Sequence, residues 1–179
     1  TIGKLKTEVM SERVKLINSE CTVNIIDDFI SPENQSDYLN RGYDYVIDAI
    51  DNVKTKASLI AYCKRNKINV ITIGGAGGQT DPTQIQIADL SKTIQDPLLA
   101  KVRSVLRKDY NFSQNPKRKF SIDAIFSTQP LIFPQMTEDC SISATMNCAN
   151  GFGATTMITA TFGFFAVSRV IDKLLKKKS

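Results

Sequence analysis

The sequence contains no histidine among its 179 residues. Catalytic sites that move a proton through histidine, such as Ser–His–Asp triads and Cys–His pairs, are therefore excluded from this chain, and so are most zinc sites. The four cysteines, at positions 21, 63, 140 and 148, form no CxxC pair. This spacing argues against a zinc ribbon and a disulfide framework, and it favours a reducing compartment.

The chain also lacks an apolar run long enough to span a bilayer. Residues 154–171 form a long apolar stretch, but Arg169 interrupts it, and a spanning helix needs roughly 20 apolar residues. Threonines, serines and an internal glycine weaken a membrane assignment further. We therefore predict a buried C-terminal helix over residues 152–178 and no stable membrane insertion. Peripheral membrane association stays open.

Neither an initiating methionine nor a signal peptide is visible at the start of the chain. The chain opens at Thr1, and apolar residues already recur there at helical spacing. We therefore expect a fragment of a longer protein, with sequence missing upstream.

Positive charge is in excess, with a net charge of +5, and it is unevenly placed. Residues 101–119 carry seven Lys or Arg against Asp109, and residues 169–178 carry five against Asp172, so the remainder is acidic. Two basic segments on an acidic body are typical of a protein that binds a polyanion such as RNA. The alternative is a solvated helix face and a soluble tail. The candidate RNA-binding residues of the first segment are Lys101, Arg103, Arg107, Lys108, Lys117, Arg118 and Lys119.

The centre of the chain has the pattern of a strand, a helix and a second strand. A short apolar run ends at Asp48, and apolar residues then recur at helical spacing over residues 53–68, with Asp51 or Asn52 as the cap. A second apolar run is followed by a glycine-rich turn at residues 74–78. This unit predicts parallel strands with a right-handed crossover in an α/β fold. Ligands of such sheets bind at the carboxyl ends of the strands.

Two acidic side chains beside a glycine-rich turn, whose backbone no side chains cover, suggest a site for Mg²⁺ and a phosphorylated ligand. Asp48 and Asp51 follow one predicted strand, and Gly74 and Gly75 follow the next. The alternative is structural, with an aspartate that caps a helix and glycines that form a tight turn. The local pattern does not decide between the two interpretations.

The same rules predict the remaining elements. In chain order, we expect a helix over residues 4–19, a strand over 22–29, a helix from Ser31 with Pro32 at its first position to near Gly42, a strand over 84–90, a helix that starts at Asp96 and Pro97, a loop over 111–119, a strand over 120–127 and an irregular segment over 129–150.

Four stretches carry a resemblance to a known family: IGKLKTEVMSERVKLIN, YVIDAIDNVKTKASLIAYCKRNKI, GGAGGQTDPTQIQIADLSKTIQDPL and GFGATTMITATFGFFAVS. The chain resembles the ubiquitin-activating-enzyme-like (E1-like, MoeB/ThiF) adenylating superfamily, and within it a branch of tRNA-modifying dehydratases. The resemblance implies an E1-like Rossmann-type α/β sheet with parallel strands, an antiparallel extension and a C-terminal helix. It also implies a single ThiF-type domain over residues 1–179, truncated at its N-terminus, with a basic helix-loop insertion at 97–119.

The reaction implied by the resemblance is the ATP-dependent dehydration, or cyclisation, of N6-threonylcarbamoyladenosine in tRNA. The carboxylate of the modification becomes an acyl adenylate, and an internal nucleophile then closes a ring as AMP leaves. Because negative charge develops at the α-phosphate, Mg²⁺ and a lysine are expected beside it. The implied cofactors are ATP and Mg²⁺, and a monovalent cation stays open.

The family motifs assign roles to particular residues. Lys6 matches the lysine of the GxxK segment, which contacts an ATP phosphate, and Asp51 matches the aspartate of the DxxDN segment, which holds Mg²⁺. Asn52 and Asp48 are close second candidates, with helix capping and a strand-end hydrogen bond as their alternatives. Cys148, in NCANGFG, matches a cysteine of the branch and is a candidate catalytic residue, although ring closure needs no enzyme thioester.

One departure from the family is large. Its GxGGVG turn, its ribose-binding acid and its Asn-x-x-Arg segment precede the GxxK lysine and are absent here, so we expect part of an ATP site and no activity from this chain alone. The implied partners are tRNA, a second copy in a homodimer and a sulfur-acceptor protein linked to a cysteine desulfurase, all in the cytoplasm.

Two other functions stay open. One is a non-catalytic fragment that binds tRNA or protein. The other is an adenylating enzyme for a sulfur-carrier protein, which the missing CxxC pairs and the basic segments disfavour.

Overall fold

The computed structural model describes residues 2–133 and 153–178, with the backbone alone for residues 177 and 178. The chain divides into two compact units, Thr1–Ser31 and Pro32–Ser179. The first unit contains helix α1 (Lys6–Ile17), which confirms the expected helix with shorter bounds.

The strand expected over residues 22–29 is wrong. In the described part of the first unit these residues adopt no regular structure, and Ile25 and Phe29 are exposed. A strand is stable only where a neighbouring strand accepts its backbone hydrogen bonds. Apolar alternation cannot show whether such a neighbour exists.

The second unit begins with a short helix, α2 (Gln35–Leu39). The prediction that this helix starts at Ser31 and Pro32 is wrong, because residues 32–34 form a turn and Asn34 is the N-cap. A turn and the first turn of a helix share near-helical backbone angles, so sequence signals do not separate them.

A four-stranded sheet forms the body of the second unit. Its strand order is β1-β2-β4-β3, with β1, β2 and β4 parallel and β3 antiparallel to β4. The parallel strands and the antiparallel extension are as predicted. The elements are β1 (Val46–Asp48), α3 (Val53–Arg65), β2 (Val70–Ile73), β3 (Ile85–Asp89), α4 (Pro97–Asp109), β4 (Asp123–Ser127) and α5 (Thr156–Lys178).

Helices cover both faces of this sheet. Ile158 and Phe162 of α5 pack on Ile71 and Ile125, which confirms a C-terminal helix buried against the sheet. The alternate residues of the strands point to the opposite face, where α3 and α4 pack together. Within the described ranges, no helix is both long and apolar enough to cross a membrane.

Strand β4 is shorter than predicted, because it starts at Asp123 and not at Phe120. The backbone N–H groups of Phe120 and Ser121 donate to the Asp89 carboxylate at 2.9 and 2.7 Å. These two donors are therefore held by a side chain, and pairing with β3 begins only beyond them.

Candidate functional site

The loop between β1 and α3 presents Asp51 and Asn52 at the carboxyl end of β1. Both residues are exposed. The Asn52 side chain accepts a hydrogen bond from the Thr55 N–H at 3.0 Å and so caps α3, which confirms the capping prediction. The roles of Asp51 and Asn52 toward ATP and Mg²⁺ stay predictions.

Beneath this loop, Asp48 and Lys56 form a buried ion pair. Lys56 Nζ lies 3.0 Å from Asp48 Oδ2, and both side chains are inaccessible to solvent. Asp48 also accepts hydrogen bonds from the Thr72 hydroxyl at 2.7 Å and from the Ile50 N–H at 3.0 Å. The Asp48 carboxylate is thus occupied by internal partners, and its proposed contact with a ligand stays a prediction.

Lys56 was not among the residues that the sequence singled out. Its Nζ donates to the Ile50 carbonyl oxygen at 2.9 Å, so it holds the loop that carries Asp51. Burial lowers the pKa of Lys56, while Asp48, Asp96 and Asp51 oppose that shift. Helical spacing offered a signal, since Lys56 lies three residues after Val53 and four before Ile60, on the apolar face of α3.

Gly74 and Gly75 lie against Asp96, a second buried carboxylate. A Cβ on Gly74 would fall 1.9 Å from Asp96 Oδ2, so this position requires glycine. Asp96 accepts hydrogen bonds from the N–H groups of Gly75 at 2.9 Å and Leu99 at 2.8 Å. Burial raises the pKa of Asp96, although those two hydrogen bonds and the positive charges of Lys56 and Arg103 act to lower it. Packing against Asp96 therefore explains why glycine occupies position 74. The binding of a cofactor by Gly74 and Gly75 stays a prediction.

A buried amide follows the glycine-rich turn. Gln79 is 1% exposed, and neither polar atom of its side chain has a hydrogen-bond partner among the described residues. An unpaired buried amide is costly, so this position stands out from the hydrogen-bonded amides around it. One such neighbour is Gln129, which accepts from the N–H groups of Thr80 and Asp81 at 2.8 and 2.9 Å. Sequence pattern did not single out either glutamine.

The residues at this edge fit Mg²⁺ bound together with phosphates. Among residues 2–133 and 153–178, no group of three or more His, Cys, Asp or Glu could hold a metal by itself. Proteins commonly bind Mg²⁺ through one or two carboxylates, and substrate phosphates and water complete the shell. Asp51 offers one exposed carboxylate of this kind.

Lys6 is the first residue of α1 in the first unit, and its side chain is exposed. Its contact with ATP stays a prediction.

Cys148 lies outside the described residues, as does Cys140. Of the other two cysteines, Cys63 is buried, which raises its pKa to about 12 and keeps the thiol protonated at neutral pH.

The candidate RNA-binding residues divide into two groups. Arg103 donates to the Thr93 hydroxyl, and Arg107 stacks over the Phe120 ring at 5.4 Å, so both arginines support local structure. The remaining five are exposed: Lys101, Lys108, Lys117, Arg118 and Lys119.

Known proteins resemble the whole chain. A model described as the ThiF family matches residues 1–179. The tRNA threonylcarbamoyladenosine dehydratase of Haemophilus influenzae is 97% identical over 179 residues, which are all of this chain and 69% of that protein. The Escherichia coli protein of the same name is 54% identical over 98% of this chain and 68% of its own length.

Solved structures match equally well. The crystal structure of E. coli tRNA N6-threonylcarbamoyladenosine dehydratase in complex with ATP has a TM-score of 0.86 at 52% identity, over 98% of this chain and 66% of that chain. The complex of the same protein with AMP has a TM-score of 0.86 at 53% identity, with the same coverage. The chain therefore spans about two thirds of the length of these relatives.

Proposed function

Because the chain belongs to the ThiF family, we propose that it carries the activity named for its relatives, the ATP-dependent dehydration of N6-threonylcarbamoyladenosine in tRNA. The similarity to the H. influenzae dehydratase over the whole chain carries this proposal. The ATP and AMP complexes of the E. coli relative support a nucleotide as cosubstrate.

In the proposed reaction, the carboxylate of the modification attacks the α-phosphate and releases pyrophosphate. An internal nucleophile of the modification then attacks the acyl carbon, loses its proton, and expels AMP together with one carboxylate oxygen. Water is thus lost overall and ATP is split to AMP. The chemistry is of the ligase type, because the energy of the phosphoanhydride activates a carboxylate.

The residues of this chain have electrostatic and positioning roles in that proposal. Asp51, with Asn52 beside it, would hold Mg²⁺, and the ion would neutralise charge on the phosphates. Lys6 would contact a phosphate. The buried Asp48–Lys56 pair supports Asp51 from below by fixing the carbonyl group of Ile50, one residue away. Preorganised charges of this kind need no rearrangement as the transition state forms.

Substitution of Asp51 tests the proposed site. In the full-length protein, Asp51→Ala is expected to lower tRNA-dependent AMP release by about 10²–10³, the usual effect of removing one preorganised contact. The matched control is Asp44→Ala, at another exposed aspartate that precedes β1, and it should release AMP at the normal rate. Normal turnover by Asp51→Ala would remove this residue from the site.

Lys6→Ala is expected to lower AMP release by a comparable factor. Its control is Lys15→Ala, at an exposed lysine on the same helix.

The 179-residue chain by itself is expected to release no AMP in this assay, since a glycine-rich phosphate-binding turn of the family type is not in it.

Further partners are part of the proposal. The exposed basic residues of α4 and the following loop support contact with tRNA, and the proposal includes a cytoplasmic location, where tRNA is found. The resemblance to the family supports a homodimer, a bound monovalent cation and a sulfur-acceptor protein linked to a cysteine desulfurase.

A further inference from the structure

A large cavity opens at the edge of the sheet opposite Asp51. Its volume is about 960 Å³, and it lies at the amino ends of the parallel strands, beside Tyr45, Asn69 and Ile122. Ligands of parallel α/β sheets bind at the carboxyl ends of the strands, so the proposed ATP site does not account for this cavity.

Basic side chains from three separate parts of the chain line the cavity. The C-terminal end of α3 and the turn after it contribute two, the loop before β4 contributes one, and the last turns of α5 contribute three. The two basic segments of the sequence thus meet here, together with two lysines that lie in neither segment. The six residues are Lys64, Lys67, Lys119, Arg169, Lys173 and Lys176.

The acidic residues of the cavity are already occupied. Asp123 lies 2.8 Å from the Arg169 guanidinium and 3.8 Å from Lys173 Nζ. Asp89 accepts backbone hydrogen bonds from Phe120 and Ser121. Neither carboxylate lies within 4.0 Å of Lys64, Lys67 or Lys119.

Three of the lysines make no ion pair in the part of the chain that the structure describes. Over residues 2–133 and 153–178, Lys64, Lys67 and Lys119 have no carboxylate within 4.0 Å, whereas Lys176 pairs with Asp172 at 2.9 Å. Lysines near the C-terminal end of a helix interact favourably with the helix dipole, which applies to Lys64 and Lys67. Lys119 lies in a loop, and all three side chains are exposed.

We propose that this cavity binds backbone phosphates of the tRNA substrate through Lys64, Lys67 and Lys119. A concave surface of one charge sign concentrates counterions, and a cavity of this size admits more than one phosphate group. The proposal rests on the proposed function, because it names where that function's RNA docks.

The test uses the full-length protein and measures tRNA affinity as a function of salt concentration. Lys64→Gln together with Lys67→Gln should reduce the slope of log affinity against log salt by about 1.4–1.8, since each phosphate contact contributes about 0.7–0.9. Lys119→Gln alone should reduce it by about half of that amount. Affinity for ATP should not change in either variant.

The matched control removes two positive charges elsewhere, by Arg13→Gln with Lys15→Gln at exposed positions of α1. This control should keep the wild-type slope. An unchanged slope in the Lys64/Lys67 variant, or an equal change in the control, would overturn the cavity as the phosphate site.

The wild-type protein separates this inference from the proposed function. If it releases AMP with tRNA but the cavity variants bind tRNA normally, the inference alone fails. If wild-type protein neither binds tRNA nor releases AMP with it, both the inference and the proposed function fail.

Discussion

Lys56 is a lysine with no solvent-accessible surface, an uncommon state for this residue type. Its ammonium group is surrounded by oxygen atoms of Asp48 and Ile50, all of them at the end of β1. A buried ion pair is seldom more stabilising than apolar residues of the same volume. We infer that the ion pair serves here to hold the loop that carries Asp51 in one conformation.

Replacing Lys56 by methionine should destabilise the protein strongly. Lys56→Met leaves the Asp48 carboxylate buried without its cation, and breaking such a pair costs about 3–5 kcal/mol. The exposed Lys54→Met on the same helix is the control and should stay within about 0.5 kcal/mol of wild type. Urea unfolding of the three proteins gives the comparison, and equal losses in both variants would contradict it.

A double substitution checks the reason for that loss. Lys56→Met combined with Asp48→Leu removes both charges, so it should be more stable than Lys56→Met alone. If the double variant is the less stable of the two, packing of the lysine stem and not the unpaired carboxylate explains the loss.

At the scale of elements, Asp89 joins the end of β3 to the start of β4. Its carboxylate accepts from the N–H groups of Ser91, Phe120 and Ser121 at 3.0, 2.9 and 2.7 Å. Burial raises the pKa of Asp89, but these hydrogen bonds outweigh burial and hold the pKa below its ordinary value of 3.8.

This shift makes the contribution of Asp89 to stability depend on pH. In the interval just below pH 3.8, the unfolded chain binds more protons at this site than the folded protein does. The stabilisation by Asp89 is therefore present above that value, and it is lost as pH falls through the lower, folded pKa. Asp89→Asn should consequently be less stable than wild type near neutral pH and approach it in acid.

Urea midpoints measured from about pH 6 down to about pH 2.5 check this expectation, because that interval spans both ionisation states of an aspartate. The exposed Asp109→Asn is the control and should follow the wild-type curve. A constant difference between wild type and Asp89→Asn across this range would show that ionisation of Asp89 does not matter.

For the whole molecule, α5 has a second apolar face that points away from the sheet. Its large side chains recur at spacings of three, four and seven residues, and Phe164 is 75% exposed. This spacing is typical of helices that pair along an apolar seam, and it supports a second copy of the chain as the partner. The residues are Met157, Phe164, Val167, Ile171 and Leu175.

A charge placed in this face should therefore separate the proposed homodimer. Phe164→Glu is expected to shift the full-length protein to the monomer mass in size-exclusion chromatography with light scattering. The control is Ile94→Glu, which places the same charge at an exposed isoleucine outside α5 and should leave the mass unchanged. A dimer that survives Phe164→Glu would place the interface on another surface.

The sequence by itself determined the elements whose signals are local. Helical spacing and a cap at Asp51 or Asn52 predicted α3, and aspartate followed by proline predicted the start of α4. Sequence runs such as GGAGGQTDPTQIQ identified the family, because they match its residues in order through the glycine-rich turn and into β3. Parallel pairing of β1 and β2 also followed, since a helix joins them.

Tertiary structure alone decided burial, pairing and charge compensation, because these depend on residues far apart in the chain. Asp48, the partner of Lys56, meets Thr72 only once β1 and β2 lie side by side. Within the described ranges, residues 22–29 have no neighbouring strand, and the residues just before β4 give their N–H groups to Asp89. The lysines of three segments surround one cavity for the same reason, since folding and not sequence order sets their distances.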